Sequence, residues 1–404
     1  MFLRPNKLLA GLCVTLMGLN LSAFDLGITA TSASVVLLPK ISSPIFTESL
    51  KTTAYLNVPM GFADFRIEGV ADLGGTYASS ALKWTDPRFD LGGARLGFLI
   101  PLATGTDGNS AGALDFAFGR LNFLDQSGGW VLGGKADGGK VSYYSGKFHL
   151  DLQGWYTGLV LSKNSRVSLG TLDPKSTDSF APRRAIAGIN LGWNETFLRQ
   201  DLQWDNIAQY DLRTSGETTH SAYSTVSIAG PFLFGFRQTT TATVSALITD
   251  WVPSYGVLAS TEWSSNLAVG RLVLNGTWSQ GLGESDSFVP VSGKGVGLVA
   301  SYTAANAAAV VIDYSFSPIR RMSTGLKVDA LLRPLSGRQP SLAGVLSTST
   351  DFLLGEEAAI YGSWSTTSEL ALGWNLAAFF PTPSSFTSDT SPTYLAVLTA
   401  TLEL

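Results

Sequence analysis

The sequence predicts an all-β protein whose strands close into one transmembrane antiparallel barrel of about 16–18 strands, within a range of about 14–20. Three observations carry this. Charged residues make up only 14% of the 404 residues, whereas 45% are hydrophobic and 11% aromatic. Beyond the first 23 residues no apolar run reaches the roughly 18 residues of a spanning helix; the longest are Ala307 to Ile312 and Leu370 to Phe380, the second broken by Asn375. Period-two alternation of apolar and polar residues recurs along the remainder, and successive side chains of a strand point to opposite faces.

Composition excludes several classes. An ordinary soluble domain is about 25% charged, so a disordered acidic or basic tail is ruled out. One cysteine excludes a disulfide scaffold and a cysteine-based metal site. A formal charge of -4 with 27 basic residues gives no nucleic-acid footprint. No cofactor and no metal is expected.

Residues 1–23 have the layout of a secretory signal peptide: Arg4 and Lys7, an apolar stretch from Leu8 to Leu21, and Ser22-Ala23 before a cut. Cys13 follows bulky Leu12, which does not suit a lipoprotein site. Cleavage after Ala23 would remove both cations and no acid, taking the formal charge from -4 to -6 and leaving no cysteine. Residues 24–404 read as a single outer-membrane barrel domain, without a linker or a repeat of fixed period.

The alternation is clearest in Ala63 to Leu73. Ala63, Phe65, Ile67, Gly69, Ala71 and Leu73 share one face; Asp64, Arg66, Glu68 and Asp72 share the other, with Val70 as the exception. Phe148, Leu150 and Leu152 oppose His149, Asp151 and Gln153. Met322, Leu326, Val328, Ala330 and Leu332 oppose Ser323, Lys327 and Asp329. From Phe232 to Ile248 a face of Phe232, Phe234, Phe236, Ala242, Val244, Ala246 and Ile248 opposes Thr239, Thr241, Thr243 and Ser245. Strand-length runs start near Asp25, Ile45, Phe62, Phe89, Ala113, Lys140, Phe148, Ala185, Phe197, His220, Phe232, Gly256, Leu267, Lys294, Ala307, Met322, Leu342, Ala358, Leu370 and Thr393. Some neighbours in this series would be one bent strand. Asp107-Gly108, Asp137-Gly138-Gly139 and Ser292-Gly293 read as turns or loops. Lys163 to Arg184 and Thr382 to Thr390 read as outer loops. About 18 strands leave about 21 residues for each strand and its connection, enough for the 9–11 residues that cross a bilayer.

Aromatic residues near run ends suit two membrane–water interfaces: Trp84, Trp130, Tyr143, Tyr144, Trp155, Tyr156, Trp193, Trp204, Trp251, Trp263, Trp278, Trp364 and Trp374. At the C-terminus Tyr394, Ala396, Leu398, Ala400, Leu402 and Leu404 share one phase. Here the whole of 24–404 resembles bacterial outer-membrane β-barrels of the porin type, which end in such a strand, although their last residue is usually aromatic and here it is Leu404. A second resemblance covers about 40 residues. Gly119-Arg120, Asp125, Asp137-Gly138 and Tyr156-Thr157-Gly158-Leu159 are similar to a stretch of alginate-export-like substrate-specific porins, in which a Gly-Arg strand end precedes an Asp-containing loop and an Asp-Gly turn. The resemblance implies a channel, outer-membrane lipid as surroundings and the barrel-insertion machinery as reader of the last strand. It does not imply alginate as cargo.

A polar interior would be lined by the charges on inward faces, and these would set selectivity. The candidates are Asp64, Arg66, Glu68, Arg95, Arg120, Asp125, Lys327 and Asp329, followed by the pairs Arg183-Arg184 and Arg320-Arg321, which would meet an acidic solute, a lipopolysaccharide-like headgroup or only solvent. Asp64, Arg66 and Glu68 would also serve as ion pairs that hold the wall together. Catalysis is not expected: the only histidines are His149 and His220, without a Gly-x-Ser-x-Gly elbow or a His-Glu-x-x-His pair. Gly293-Lys294-Gly295-Val296-Gly297 heads a strand run, which excludes a phosphate loop. The expectation is therefore a passive channel for small hydrophilic solutes in the cell outer membrane, with an oligomer compatible with it. Alternatives are a fatty-acid-type hydrophobic transporter, disfavoured because Phe24 to Pro39 reads as strand and not as a plug helix, and a surface adhesin or antigen. The charge of -6 points to a mild cation preference.

Overall fold

Alternation becomes architecture through lipid and through closure. Outside water, every backbone N–H and C=O must pair within the protein, so a spanning sheet cannot keep an open edge. In the computed structural model the described residues are 24–38, 44–60, 63–78, 81–85, 87–102, 112–165, 167, 180–214, 218–283, 286–291, 298–299, 306–334, 351–385 and 391–404. They form β1 (Asp25–Leu38), β2 (Ile45–Pro59), β3 (Ala63–Ala78), β4 (Ala81–Trp84), β5 (Arg88–Pro101), β6 (Ala113–Leu124), β7 (Gly133–Ser145), β8 (Phe148–Tyr156), β9 (Arg184–Phe197) and β10 (Gln200–Asp211). The series continues with β11 (Thr219–Pro231), β12 (Arg237–Thr249), β13 (Val252–Asn266), β14 (Gly270–Gly281), β15 (Ala308–Phe316), β16 (Met322–Leu332), β17 (Leu353–Ser365), β18 (Leu370–Pro381) and β19 (Thr393–Glu403).

Each strand pairs antiparallel with its neighbours, and β1 closes the sheet on β19, from Thr29 opposite Glu403 to Leu38 opposite Tyr394. Of the 19 strands among the described residues, β4 pairs only with the end of β3, so 18 form the wall. Among the described residues no helix is long and apolar enough to cross a membrane.

The wall has a greasy outside and a polar inside. Ile67, Leu152, Val244, Leu326, Val328 and Leu398 stand exposed on the outer face, while Asp151, Asp205, Thr225, Thr243 and Asp329 are buried on the inner one. Each outer Leu or Val moved from water into hydrocarbon contributes about 1.5–3 kcal/mol. The first and last strands begin and finish at one end of the barrel, where connections such as Gly146-Lys147 and Leu198-Arg199 are short. The opposite end carries the longer connections after β8, β14 and β16. These are the turn end and the loop end below.

Several sequence expectations change. Asp137-Gly138-Gly139 is not a turn but the interior of β7, because Asp137 opposes Arg120 and Gly138 opposes Gly119 within an unbroken ladder. Phe232 to Phe236 is not strand but a connection containing a short 3-10 turn, with Phe234 in the left-handed region at φ 57; β12 starts only at Arg237. Trp130 and Trp155 do not join the interfacial rings; both are buried inside the barrel. Trp84, Trp251 and Trp278 lie toward the loop end and Trp193, Trp204 and Trp364 toward the turn end, all exposed as rings at two interfaces require. The expected signal segment 1–23, Asp107-Gly108, Ser292-Gly293, the Gly293 to Gly297 run and the strand starts near Lys294 and Leu342 lie outside the described residues. So do residues 386–390 of the last outer loop.

Candidate functional site: a lumen narrowed from one side

The inside of the barrel is not an open pipe. Among the described residues, eighteen buried apolar or aromatic side chains form one cluster inside it. The wall contributes Ile186, Ile207, Tyr223, Leu258, Leu331, Leu354 and Phe379 from their inward phases. Three connections of the loop end pack against them: 125–132 brings Trp130, Val131 and Leu132, the segment after β8 brings Val167, and the segment after β14 brings Phe288 and Val291. Burying these side chains against one another holds the connections down in the lumen without a covalent tie.

Polar anchors fix their positions. The N–H of Gln126 donates to Asp205 Oδ2 on β10 at 3.2 Å. The N–H of Val291 donates to Val131 O at 2.9 Å, joining two inward connections. Tyr223 Oη donates to Val289 O at 2.6 Å. Glu357 on β17 accepts the N–H groups of Leu298 and Val299 at 2.5 and 2.9 Å.

The 125–132 connection is built around Asp125. Its carboxylate accepts the N–H of Gly129 at 2.8 Å, the N–H of Ser127 at 3.0 Å and the Ser127 hydroxyl. Burial pushes the Asp125 carboxyl above the ordinary aspartate range, and the donors from Ser127, Leu132 and Gly129 oppose this.

The bend that carries this connection inward comes from two facing glycines. Gly119 has φ +124, and a Cβ there would collide with Ala94 O; a Cβ on Gly138 would collide with Gly154 O. Asp115 and Ala117 line the inner cavity before Gly119, and Arg120 and Asn122 line it after. Lys140 and Ser142 line it on one side of Gly138 and Lys135 on the other. Leu121 and Phe123 line the same cavity as Arg120 and Asn122, so past the glycine pair both faces of the hairpin lie inside the barrel. The face with Phe123 and Ala136 packs into the apolar cluster.

The space left beside the hairpin is a cavity of about 480 Å³ against β3, β5, β6, β7 and β8. Its lining includes the cations Arg66, Arg95, Arg120, Lys135 and Lys140, the carboxylates Glu68 and Asp115, and the apolar side chains Leu121, Phe123, Leu124 and Trp155. Further acids stand as partners around it: Asp64 lies 3.7 Å from Arg95, and Asp151 lies 2.9 Å from Lys140. Glu68 is shared between Arg66 at 3.7 Å and Lys135 at 3.6 Å. Arg66 and Arg95 are opposite each other on β3 and β5, and their side chains remain 51% and 44% exposed. Like charges directly opposite on neighbouring strands oppose sheet formation. The ring of Tyr55 beneath Arg66, 5.1 Å from the guanidinium carbon, offsets part of this.

Arg120 is used differently. It is 8% exposed and bonds Asp137 through two nitrogens at 2.9 and 3.0 Å, Asp90 at 3.2 Å, and the carbonyls of Leu91 and Leu159 at 3.1 and 2.9 Å. It fastens β5, β6, β7 and the segment after β8 together.

The structure thus brings Asp64, Arg66, Glu68, Arg95 and Arg120 to one cavity. Asp125 is a turn-former in the neighbouring connection. Lys327 and Asp329 pair at 2.7 Å on β16, beside Glu357 across the ladder, on a different stretch of wall. Arg184 is buried at the loop end of β9, while Arg320-Arg321 occupies the connection between β15 and β16 at the turn end. Sequence reasoning missed Lys135, Lys140, Asp205 and Glu357. Lys140 and Ser142 alternate correctly for an inward face, but reading Asp137-Gly138 as a turn removed half the strand that carries them.

The residues of the local porin resemblance prove to be one physical unit: Gly119 faces Gly138, Arg120 binds Asp137, Asp137 opposes Tyr156, and Leu159 accepts from Arg120. No family model matches the sequence, and no curated protein matches it. Solved structures do share the fold. The outer membrane protein opdK of Pseudomonas aeruginosa is 9% identical, with 95% of this chain and 99% of that chain covered at a TM-score of 0.60. OccK9 (OpdG) of the same organism is 12% identical, with 95% and 99% covered at 0.62. OccAB2 of Acinetobacter baumannii is 10% identical, with 95% and 98% covered at 0.58. OpdK has also been solved with vanillate. At these identities the likeness is one of fold: a closed antiparallel β-barrel of 18 wall strands.

Proposed function

We propose that this protein is a passive channel of the bacterial outer membrane, exported by residues 1–23, through which small hydrophilic solutes diffuse along a narrowed polar lumen. The loop end then faces outward and the turn end faces the periplasm, as in barrels of this type. No cofactor or energy input enters the reading, and the inward side chains act by binding and orienting solutes rather than by catalysis.

One observation carries the solute preference: Arg66 and Arg95 stand side by side, inward and half-exposed, at a cost to the sheet that an arriving anion offsets. Each guanidinium presents a planar fork of donors that matches a carboxylate. Phe123, Leu124 and Trp155 add an apolar wall on the same cavity. The site therefore suits a small anion with an apolar body, and the vanillate solved with OpdK, a neighbour in fold, is such an anion. This reading replaces the cation preference inferred from net charge, because selectivity follows the groups at the narrow section and not the whole chain.

The test is solute uptake by liposomes holding the refolded chain, comparing an aromatic carboxylate with the neutral amide of the same ring. Faster entry of the carboxylate supports the reading; equal rates, or faster entry of the amide, would overturn the preference while leaving the channel intact.

A further inference from the structure

The four successive connections at the turn end from β9 to β16 depart from ordinary hairpin chemistry. Leu198-Arg199 joins β9 to β10, Phe232 to Phe236 joins β11 to β12, Leu267 to Val269 joins β13 to β14, and Ser317 to Arg321 joins β15 to β16. Leu198, Leu233, Phe234, Val269 and Ile319 are exposed there, Phe234 by 94%. Two other connections at this end are unlike them: Gly146-Lys147 follows β7, and Thr366 to Glu369 follows β17.

Two further facts concern the same tips. Leu198, Arg199, Phe234 and Arg321 have φ of 51, 61, 57 and 64, a left-handed region that favours Gly and Asn. Left-handed backbone at a bulky residue is costly and persists mostly where something uses it. The arginines Arg199, Arg320 and Arg321 stand beside the apolar tips, exposed to solvent. Nearby acids do not cancel them as a group: Asp201 accepts the N–H of Glu195, Glu195 pairs with Lys147 at 3.4 Å, and Glu369 lies close enough to Arg321 to feel its charge.

We propose that this half of the turn end is a binding surface for anionic phospholipid of the periplasmic leaflet, with the apolar tips in the acyl boundary and Arg199, Arg320 and Arg321 on the phosphates. The exposed apolar residues Val226 and Ile228 of β11 lead toward Phe232 in the connection that follows, so the surface adjoins the lipid-facing belt. Apolar side chains interleaved with arginines are the composition of an interfacial anchor, and each basic residue at an anionic surface adds about fivefold in affinity. Connections of two to five residues offer a flat rim and not a pocket, which fits a lipid plane better than a folded partner. The inference rests on the membrane reading alone and not on the solute preference.

The test is native mass spectrometry of the full refolded chain in micelles doped equally with phosphatidylglycerol and phosphatidylcholine. The expected result is retained phosphatidylglycerol over phosphatidylcholine, unaffected by inorganic phosphate, with the ratio falling about fivefold per arginine removed in the R199Q, R320Q and R321Q series. Equal retention of the two lipids by the unaltered chain would overturn the proposal, whether or not the variants fold. So would displacement by inorganic phosphate, or pairs of barrels joined through this rim in place of lipid. A chain that stayed soluble without detergent would instead sink the membrane reading.

Discussion

The N–H of Gln126 reaches across the lumen to the carboxylate of Asp205 at 3.2 Å, so a wall strand holds the tip of the connection that narrows the lumen. A hydrogen bond to a charged acceptor contributes about 1.5–3 kcal/mol. Asp205→Ala removes the acceptor, and we expect a larger and noisier single-channel conductance with unchanged heat-modifiable gel mobility. Asp205→Asn keeps a carbonyl oxygen in place and is expected to retain most of the narrowing. Identical conductance in all three proteins would show that the apolar packing alone holds the connection.

Asp125 makes the same connection sensitive to pH. Its carboxyl is raised by burial, so the folded connection binds its proton more tightly than an undocked one. The resulting stability is fully present below the ordinary aspartate value of 3.8 and is lost as pH rises through the raised folded value. Conductance is therefore expected to increase from acidic toward neutral pH, and Asp125→Asn, which cannot titrate, is expected to flatten that rise. Recordings across the pH range check the sign directly.

The glycine pair is predicted to be intolerant. A Cβ at Gly138 runs into Gly154 O, and one at Gly119 runs into Ala94 O on a backbone with φ +124. Gly119→Ala and Gly138→Ala should each lower unfolding stability by about 1–3 kcal/mol, as forced left-handed or clashing backbone does. Gly154→Ala meets nothing within 4 Å and is the expected neutral control in urea unfolding.

Arg66 and Arg95 are predicted to act as a pair. Replacing either by Gln relieves like-charge repulsion between β3 and β5 while weakening the attraction for anions, so stability should hold or rise as anion permeability falls. A loss of stability without a change in permeability would assign them to the wall alone.

How far the sequence reaches can be seen at particular residues. Lys327 and Asp329 against Leu326 and Val328 were legible because a sheet with lipid on one side and polar groups on the other imposes a strict period of two. The closing strand was legible for the same reason, from Tyr394 to Leu404. The narrowing was not. Trp130 reads as an interfacial aromatic and nothing local marks Val131 or Phe288, since burial inside a lumen depends on packing with Ile207, Leu258 and Leu331, which are far away in the chain. Asp137-Gly138 carries turn chemistry locally, yet its glycine serves a close approach to Gly154 across the ladder. Nothing local distinguishes these two uses.

The most direct test of the account is the reversal potential of the refolded chain in a planar bilayer under a salt gradient. The account predicts discrete conductance steps and a reversal potential of the sign that marks anion preference, reduced in the Arg66→Gln, Arg95→Gln protein. Absence of steps, or a reversal potential of the cation sign, would contradict it.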